Sequence, residues 1–136
     1  MAKTKAKEKN IKNICFTKTP FLDNRFFPAS FDVIMAINYL PFEKNLDETL
    51  IRIKSLLKNN GVFILTIHQS GKKSPLSCIT SSFLSKLGVK PYHKSMNIDK
   101  WIQKIEAHSF KAVNSEEINA DPLCQFIVVK KNESKT

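Results

Sequence analysis

A chain of 136 residues with 42% apolar content has room for one domain and one core, because single domains cluster at about 100–150 residues. Its formal charge of +10 would suit nucleic acid or an acidic membrane surface, but the basic residues are almost all evenly spread lysines, a pattern that disfavours a dedicated nucleic-acid site. No apolar run approaches the roughly 18–20 residues that cross a bilayer, and the cysteines form neither a zinc-site nor a disulfide pattern, so the sequence predicts a soluble cytoplasmic protein.

The N-terminal segment leaves two forms open. Residues 1–10 are rich in lysine and helix formers, and they form either the last turns of a helix or a frayed arm. Residues 11–17 combine isoleucine, cysteine, phenylalanine and threonine, a composition typical of a strand. Residues 18–30 then supply about the dozen residues that a parallel crossover requires.

A strand–helix–strand unit follows. Phe31–Ile37 and residues 61–67 are almost unbroken apolar runs, which is typical of parallel strands covered on both faces. Between them, Asn45 and Glu48 have the spacing of a capping box, and Gly61 is placed to end the helix. The inner stripe of this helix comprises Leu46, Leu50, Ile53 and Leu57.

The second half of the chain predicts two further helices and a hairpin. Residues 74–88 begin with Ser-Pro, a helix-start signal, and end in a glycine. Asn97 caps another helix, whose inner face carries Trp101 as a core residue. Residues 112–118 and 124–129 predict two strands, and the short connection between them permits only an antiparallel pair.

Three short motifs stand at residues 30–34 (Ser-Phe-Asp-Val-Ile), 56–63 (Leu-Leu-Lys-Asn-Asn-Gly-Val-Phe) and 107–110 (Ala-His-Ser-Phe). Their order and spacing resemble the C-terminal half of the class I S-adenosylmethionine-dependent methyltransferases. Ser-Phe-Asp-Val-Ile at residues 30–34 is similar to the start of that family's fourth strand, and Leu-Leu-Lys-Asn-Asn-Gly-Val-Phe at residues 56–63 to the start of its fifth. Ala-His-Ser-Phe at residues 107–110 stands where the family often has Ala-Gly-Phe. The resemblance covers residues 11–131 and implies a truncated Rossmann-like α/β fold, with parallel strands that end in an antiparallel hairpin and helices on both faces. The polar residues 132–136 predict a disordered tail.

The region before the fourth strand further resembles a group of small bacterial members. In that group an Asp-x-Arg pair precedes Ser-Phe-Asp, and an asparagine follows the strand. Asp23, Arg25 and Asn38 occupy those places here. The group's histidine after Asn-x-Leu is replaced by Pro41, so any role of that histidine is lost.

The glycine-rich turn with which the family holds S-adenosylmethionine is missing. A backbone that approaches a ligand closely needs glycine, and Gly61, Gly71 and Gly88 are too far apart to form such a turn. The resemblance therefore implies a chain that is impaired or inactive by itself and comes from an internal start, a disrupted gene or a two-piece enzyme. It also implies a bare edge on the strand Phe31–Ile37. We expect residues 11–17 to pair with that edge, or the edge to recruit another chain, either a second copy or a complementary N-terminal half.

Candidate site residues follow from the strand ends and from the resemblance. Ligands of open α/β sheets bind beyond the carboxyl ends of the strands, where Asn38 and His68 stand. The resemblance implies that Asn38 contacts the cofactor or the substrate; the alternative is an asparagine that only tolerates the turn. It places Thr19 and Asp23 near the adenine, although the acidic residue usual next to Thr19 is absent. His68 is a candidate proton acceptor, or a plain loop histidine.

The leading interpretation is an S-adenosylmethionine-dependent methyltransferase family protein that acts on a small molecule and is impaired as this chain alone. Methyl transfer depends on in-line positioning more than on acid–base chemistry, so no catalytic signature is expected, and no metal site is predicted. The alternative is a non-catalytic interaction module, a methyltransferase remnant that binds a partner through its exposed sheet edge. A lysine-driven nucleic-acid binder ranks last.

Overall fold

The computed structural model describes residues 1–19, 23–68, 94, 96–118 and 124–132. The elements in chain order are α1 (Ala2–Glu8), β1 (Phe31–Ile37), a 3-10 turn (Leu40–Phe42), α2 (Leu46–Leu56), β2 (Leu57–His68), α3 (Ile98–Glu106), β3 (Phe110–Ile118) and β4 (Cys124–Lys131). The helix predicted over residues 74–88, the turn at residues 121–122 and the tail at residues 133–136 lie outside the described residues.

Four strands form one mixed sheet in the order β1-β2-β4-β3. β1 and β2 are parallel, and α2 connects them, as the apolar runs predicted. β4 pairs antiparallel with both β2 and β3, so the predicted terminal hairpin is confirmed. The sheet therefore combines one parallel pair with an antiparallel end, the predicted α/β architecture.

The core lies on one face of this sheet. Alternate residues of β2, Phe63, Leu65 and Ile67, are buried there beside Ile127 and Val129 of β4. The helix residues that pack against them are Leu46, Leu50 and Ile53 of α2 and Trp101 and Ile105 of α3. Full burial of side chains of this size stabilises a fold by about 1.5–3 kcal/mol each, so this cluster holds α2 and α3 on the sheet.

The strand predicted at residues 11–17 does not form. The segment has no strand partner among the described residues, and Ile11 and Ile14 are 45% and 50% exposed. A strand is stable only when a neighbour satisfies its N–H and C=O groups, and apolar composition alone supplies no neighbour. The predicted pairing of this segment with β1 is therefore wrong, and β1 is paired only with β2 among the described residues.

The N-terminal residues form the helix α1, which has a well-formed C-terminal end. Asn10 adopts a left-handed backbone, with φ 52°. Its N–H donates to the carbonyl of Lys7 at 3.1 Å, and the N–H of Ile11 donates to the carbonyl of Ala6 at 2.9 Å. These two bonds make a Schellman turn, which satisfies carbonyls that the end of α1 would otherwise leave unpaired.

Neither Asn45 nor Gly61 has the role at the ends of α2 that the sequence predicted, which was an N-cap for Asn45 and the helix end for Gly61. The side chain of Asn45 accepts no backbone hydrogen bond; its amide instead lies 3.5 Å from the carboxylate of Glu48. The helix ends at Leu56, and Gly61 lies inside β2. There β2 loops out, because Phe31 pairs with Leu57 but Val33 pairs with Val62. A Cβ on Gly61 would come within 2.9 Å of the Lys58 carbonyl, so glycine is needed for close approach, not for helix termination.

The expectation that β1 is covered on both faces is also wrong. One face of the strand contributes the buried Ala36 and the partly buried Ile34 to the core. On the other face, Val33, Met35 and Ile37 are 48%, 59% and 55% exposed. Within the part of the chain that the structure describes, β1 is thus an apolar strand with one covered face and an unpaired edge.

Candidate functional site

The carboxyl ends of the parallel strands bring Asn38 and Thr66 together. The N–H of Asn38 donates to the Thr66 carbonyl at 3.2 Å and to the Thr66 hydroxyl at 3.0 Å. The same hydroxyl donates to Oδ1 of Asn38 at 3.3 Å. Asn38 has φ 51°, a left-handed conformation that asparagine tolerates better than most residues. The turn role considered for Asn38 is thus present, and its side chain is already engaged with a neighbour.

His68 is the last residue of β2 and lies at the same end of the sheet. It follows Thr66 by two positions, so both side chains project from the same face of the strand. The ring is half-buried, and its Nδ1 atom is buried with no hydrogen-bond partner among the described residues. Across the ladder, His68 is opposite the buried Cys124. Buried polar atoms without a partner are uncommon in proteins, so this ring nitrogen is a candidate contact for a group bound at this end of the sheet.

Thr19 and Asp23 form a second group with Arg25. Arg25 donates from Nη2 to Oδ2 of Asp23 at 2.8 Å and from its backbone N–H to Oδ1 at 2.8 Å. The Thr19 hydroxyl also donates to Asp23 and accepts from Arg25 Nη2 at 3.1 Å. The hydrogen bonds from Arg25, followed by that from Thr19, hold the pKa of Asp23 well below its usual range. Both carboxylate oxygens are therefore occupied within the protein.

Arg52 of α2 holds this second group in place. Its Nη2 atom donates to the carbonyl of Asp23 at 3.0 Å and to that of Phe26 at 2.9 Å. Thr19 borders an apolar groove of about 340 Å³ that runs beside β1 and is lined by Phe26 and Phe31, among others. No hydrogen bond or ion pair among the described residues joins this group to Asn38 or His68. The predicted site residues thus fall into two separate clusters.

Tyr39, directly after Asn38, was not among the predicted site residues. Its hydroxyl donates to Oε2 of Glu43 at 2.5 Å. Burial, together with the Glu43 carboxylate, raises the pKa of Tyr39 to about 12, so the phenol stays protonated at neutral pH. Thr66 was missed as well, although a lone hydroxyl within an apolar strand is a readable signal of a buried polar contact.

Among the described residues, the candidates for the adenine end include no free carboxylate. The carboxylate proposed for the adenine end, Asp23, has both oxygens bonded to Arg25 and Thr19. The glycines that would let the backbone approach the cofactor are absent from the sequence. Among the described ranges, no cluster of three or more potential ligand side chains is arranged to hold a metal ion. Within those same ranges, no helix is long and apolar enough to cross a membrane.

Comparison with known proteins settles the family. Residues 1–121 match a family model described as a methyltransferase domain. The chain belongs to this methyltransferase family. The predicted resemblance to S-adenosylmethionine-dependent methyltransferases of class I is thereby confirmed. No curated protein matches the chain.

Solved structures of methyltransferases share the fold. A 1,6-didemethyltoxoflavin-N1-methyltransferase of Burkholderia thailandensis, solved with 1,6-didemethyltoxoflavin and S-adenosylhomocysteine, aligns with TM-score 0.71 at 15% identity, over 96% of this chain and 56% of its own. An S-adenosylmethionine-dependent methyltransferase of Listeria monocytogenes aligns with TM-score 0.67 at 19% identity, over 96% and 75%. A methyltransferase complex with an activator from Haloferax volcanii aligns with TM-score 0.65 at 11% identity, over 87% and 61%. The chain thus spans little more than half the length of the Burkholderia methyltransferase.

Proposed function

We propose that this methyltransferase family chain is built for methyl transfer to a small molecule and that, by itself, it binds S-adenosylmethionine weakly. The observation that carries the proposal is the lack of a cradle: three scattered glycines, together with an Asp23 whose oxygens are both occupied. The small-molecule acceptor is supported by the Burkholderia methyltransferase, which was solved with 1,6-didemethyltoxoflavin. Free Cys15 and Cys124 suit a reducing cytoplasm.

Within this proposal, Asn38 contacts the cofactor or the substrate, and Thr19 and Asp23 support the adenine side. Asn38 stands at the carboxyl end of β1, where ligands of such sheets bind, and Thr66 fixes its orientation. His68 accepts a proton from the methyl acceptor. Its support is the unpartnered Nδ1 atom at the same end of the sheet.

Calorimetric titration of the purified chain with S-adenosylmethionine and with S-adenosylhomocysteine tests the proposal. We expect no saturable heat in the micromolar range from a chain that circular dichroism shows to be folded. The control variant, Asn38→Ala, should then titrate like the wild type. Micromolar binding by the lone chain, weakened in Asn38→Ala, would overturn the weak-binding proposal and support the assignment of Asn38.

The second candidate function is that of an interaction module that uses the free edge of β1. It is favoured by the exposed Val33, Met35 and Ile37 on a strand with one paired side. The partner is a second copy or a separate polypeptide that supplies the glycine-rich half of the domain. The Haloferax methyltransferase, solved together with an activator, is a family example of a methyltransferase in a protein complex. Size-exclusion chromatography with light scattering tests self-association. Binding of another polypeptide is tested by hydrogen exchange, because a strand that pairs with β1 would protect the β1 amides.

A further inference from the structure

The two edges of the sheet differ in their protection against pairing. The outer strand β3 carries charges at Lys111, Glu116 and Glu117, and a bulge interrupts its register between Ala112 and Asn114. Charged side chains and bulges are the usual means by which proteins prevent edge-to-edge association. β1 has a single charge, Asp32, and its regular part is entirely apolar. The β3 edge is therefore protected, whereas the β1 edge has no such protection and no partner strand among the described residues.

The sequence of β1 is complementary to itself when two copies run antiparallel about Ile34. Val33 then faces Met35 of the second copy, and Asp32 faces Ala36. Apolar side chains meet at every position of the strand except the pair of Asp32 and Ala36, and cross-strand pairs contribute about 0.2–1 kcal/mol each. The only charge meets a small apolar residue in place of a like charge, and Lys58 already neutralises it at 2.8 Å.

The groove beside β1 provides additional apolar surface for an arriving strand. It has a volume of about 340 Å³ and lies between the strand and the end of α2, with Leu56 on its wall. The rings of Phe26 and Phe31 meet edge to face at 5.6 Å, so its aromatic wall is ordered. Side chains at the rim of an incoming strand can bury surface there beyond what backbone pairing alone provides.

We propose that β1 pairs antiparallel with β1 of a second copy, so that two sheets join into one across a twofold axis that lies between the two Ile34 residues. This inference rests on the second proposed function and names its partner. Pairing of an edge with itself consumes the edge, so the assembly closes as a dimer and does not grow into fibres. Because each copy carries a formal charge of +10, added salt screens the repulsion and strengthens the dimer.

Matched lysine substitutions on the two edges test the proposal. Met35 on β1 and Val113 on β3 are 59% and 56% exposed, so Met35→Lys and Val113→Lys add the same charge to apolar surface on different edges. By sedimentation equilibrium we expect Met35→Lys to weaken dimerisation by about tenfold or more, because each lysine replaces an apolar cross-strand contact with Val33 of the second copy and adds like charge to both chains. Val113→Lys should leave the dimer constant unchanged. Equal effects of the two variants, or none from Met35→Lys, would overturn β1 pairing.

Disulfide trapping tests the register in a background with Cys15→Ser and Cys78→Ser, in which the remaining Cys124 is buried. A mixture of Val33→Cys and Met35→Cys chains should form the mixed disulfide, because these positions are opposite each other. Two Val33→Cys chains should not crosslink, since their Cα atoms would be about 7–8 Å apart, beyond disulfide reach. Homodisulfides that form as fast as the mixed one would contradict the register.

The oligomeric state of the wild-type chain separates self-pairing of β1 from the broader proposal that the β1 edge binds some partner. A wild-type chain that stays monomeric at high salt and at its highest soluble concentration overturns self-pairing. If that monomer still binds a short synthetic peptide of alternating valine and threonine, a generic strand former, with protection of the β1 amides from hydrogen exchange, the edge remains an interface for a strand of another sequence. If it binds neither, both proposals fail.

Discussion

Asn38 and Thr66 bind each other across the carboxyl ends of β1 and β2. The Thr66 hydroxyl accepts from the N–H of Asn38 at 3.0 Å and donates to its Oδ1 at 3.3 Å. One hydroxyl thus fixes both the backbone and the side chain of the residue that begins the turn after β1. This contact orients the part of the fold where a ligand of the sheet would bind.

Removal of this hydroxyl should loosen the turn. Thr66 is 7% exposed, and Thr66→Val keeps its shape while the Oδ1 of Asn38 loses its donor. We expect a loss of about 1–3 kcal/mol in the free energy of unfolding, measured by urea denaturation. Thr66→Ser retains the hydroxyl and serves as the control. A Thr66→Val chain as stable as the wild type would show that the bond contributes nothing.

Substitutions at Asn38 should separate backbone strain from side-chain bonding. At φ 51°, an alanine is strained by about 1–2 kcal/mol, whereas glycine is not. Both substitutions lose the bond to Thr66, so Asn38→Gly should unfold at a higher urea concentration than Asn38→Ala. The reverse order would mean that the left-handed backbone is not what limits stability here.

Addition of one methyl group at Gly61 should disturb the loop-out in β2. The new Cβ would meet the Lys58 carbonyl and the Leu57 side chain, both at 2.9 Å, and a backbone carbonyl cannot move aside alone. We expect Gly61→Ala to lower the free energy of unfolding by about 1–3 kcal/mol. Asn60→Ala, at an exposed neighbouring position, should stay within about 0.5 kcal/mol of the wild type. Equal stabilities of the two variants would argue against the close approach.

Acid should destabilise the fold through carboxylates paired in the native state. Lys58 lowers the pKa of Asp32, and Lys104, with a smaller contribution from His108, lowers that of Asp47. A carboxyl whose folded pKa is depressed contributes stability above its unfolded pKa of about 3.9, and this contribution is lost as pH falls through the folded value. The melting temperature should therefore fall as pH decreases below about 4.

Neutral variants identify the groups responsible for this acid sensitivity. Asp32→Asn and Asp47→Asn should each melt lower than the wild type at pH 7 and show a smaller further decrease in acid. Both carboxylates are exposed, so added salt should reduce the difference. A melting curve that is independent of pH over this range would show that neither pair stabilises the fold.

Helices and strands that depend on apolar periodicity and capping residues could be predicted well from the sequence. The apolar run Phe31–Ile37 forms β1, and Asn97 caps α3 by accepting from the N–H of Lys100 at 3.1 Å. The burial of Trp101 follows from the stripe it shares with Ile105. Periodicity and capping act within a few residues, so the sequence carries them directly. Because the two strands were predicted correctly, the placement of Asn38 and His68 at their carboxyl ends was predicted as well.

The candidate site was harder to predict, because it depends on pairs that are distant in the chain. Thr66 is 28 positions from Asn38, and nothing near either residue indicates their contact. Asp23 was assigned to a ligand, yet Arg25 and Thr19 take up its oxygens. Arg52, which fixes the same loop from α2, gives no sequence signal of that role.

Short motifs were enough to predict the family, and the three widely spaced glycines can be counted without a structure. Three features of the strands became visible only in the folded chain. Gly61 lies within a strand, and among the described residues neither the segment 11–17 nor the outer edge of β1 has a strand partner. A helix satisfies its hydrogen bonds internally, whereas a strand exists only where another strand lies beside it. Strand pairing is therefore a property of the whole fold, and so is the surface that an unpaired strand leaves for a partner.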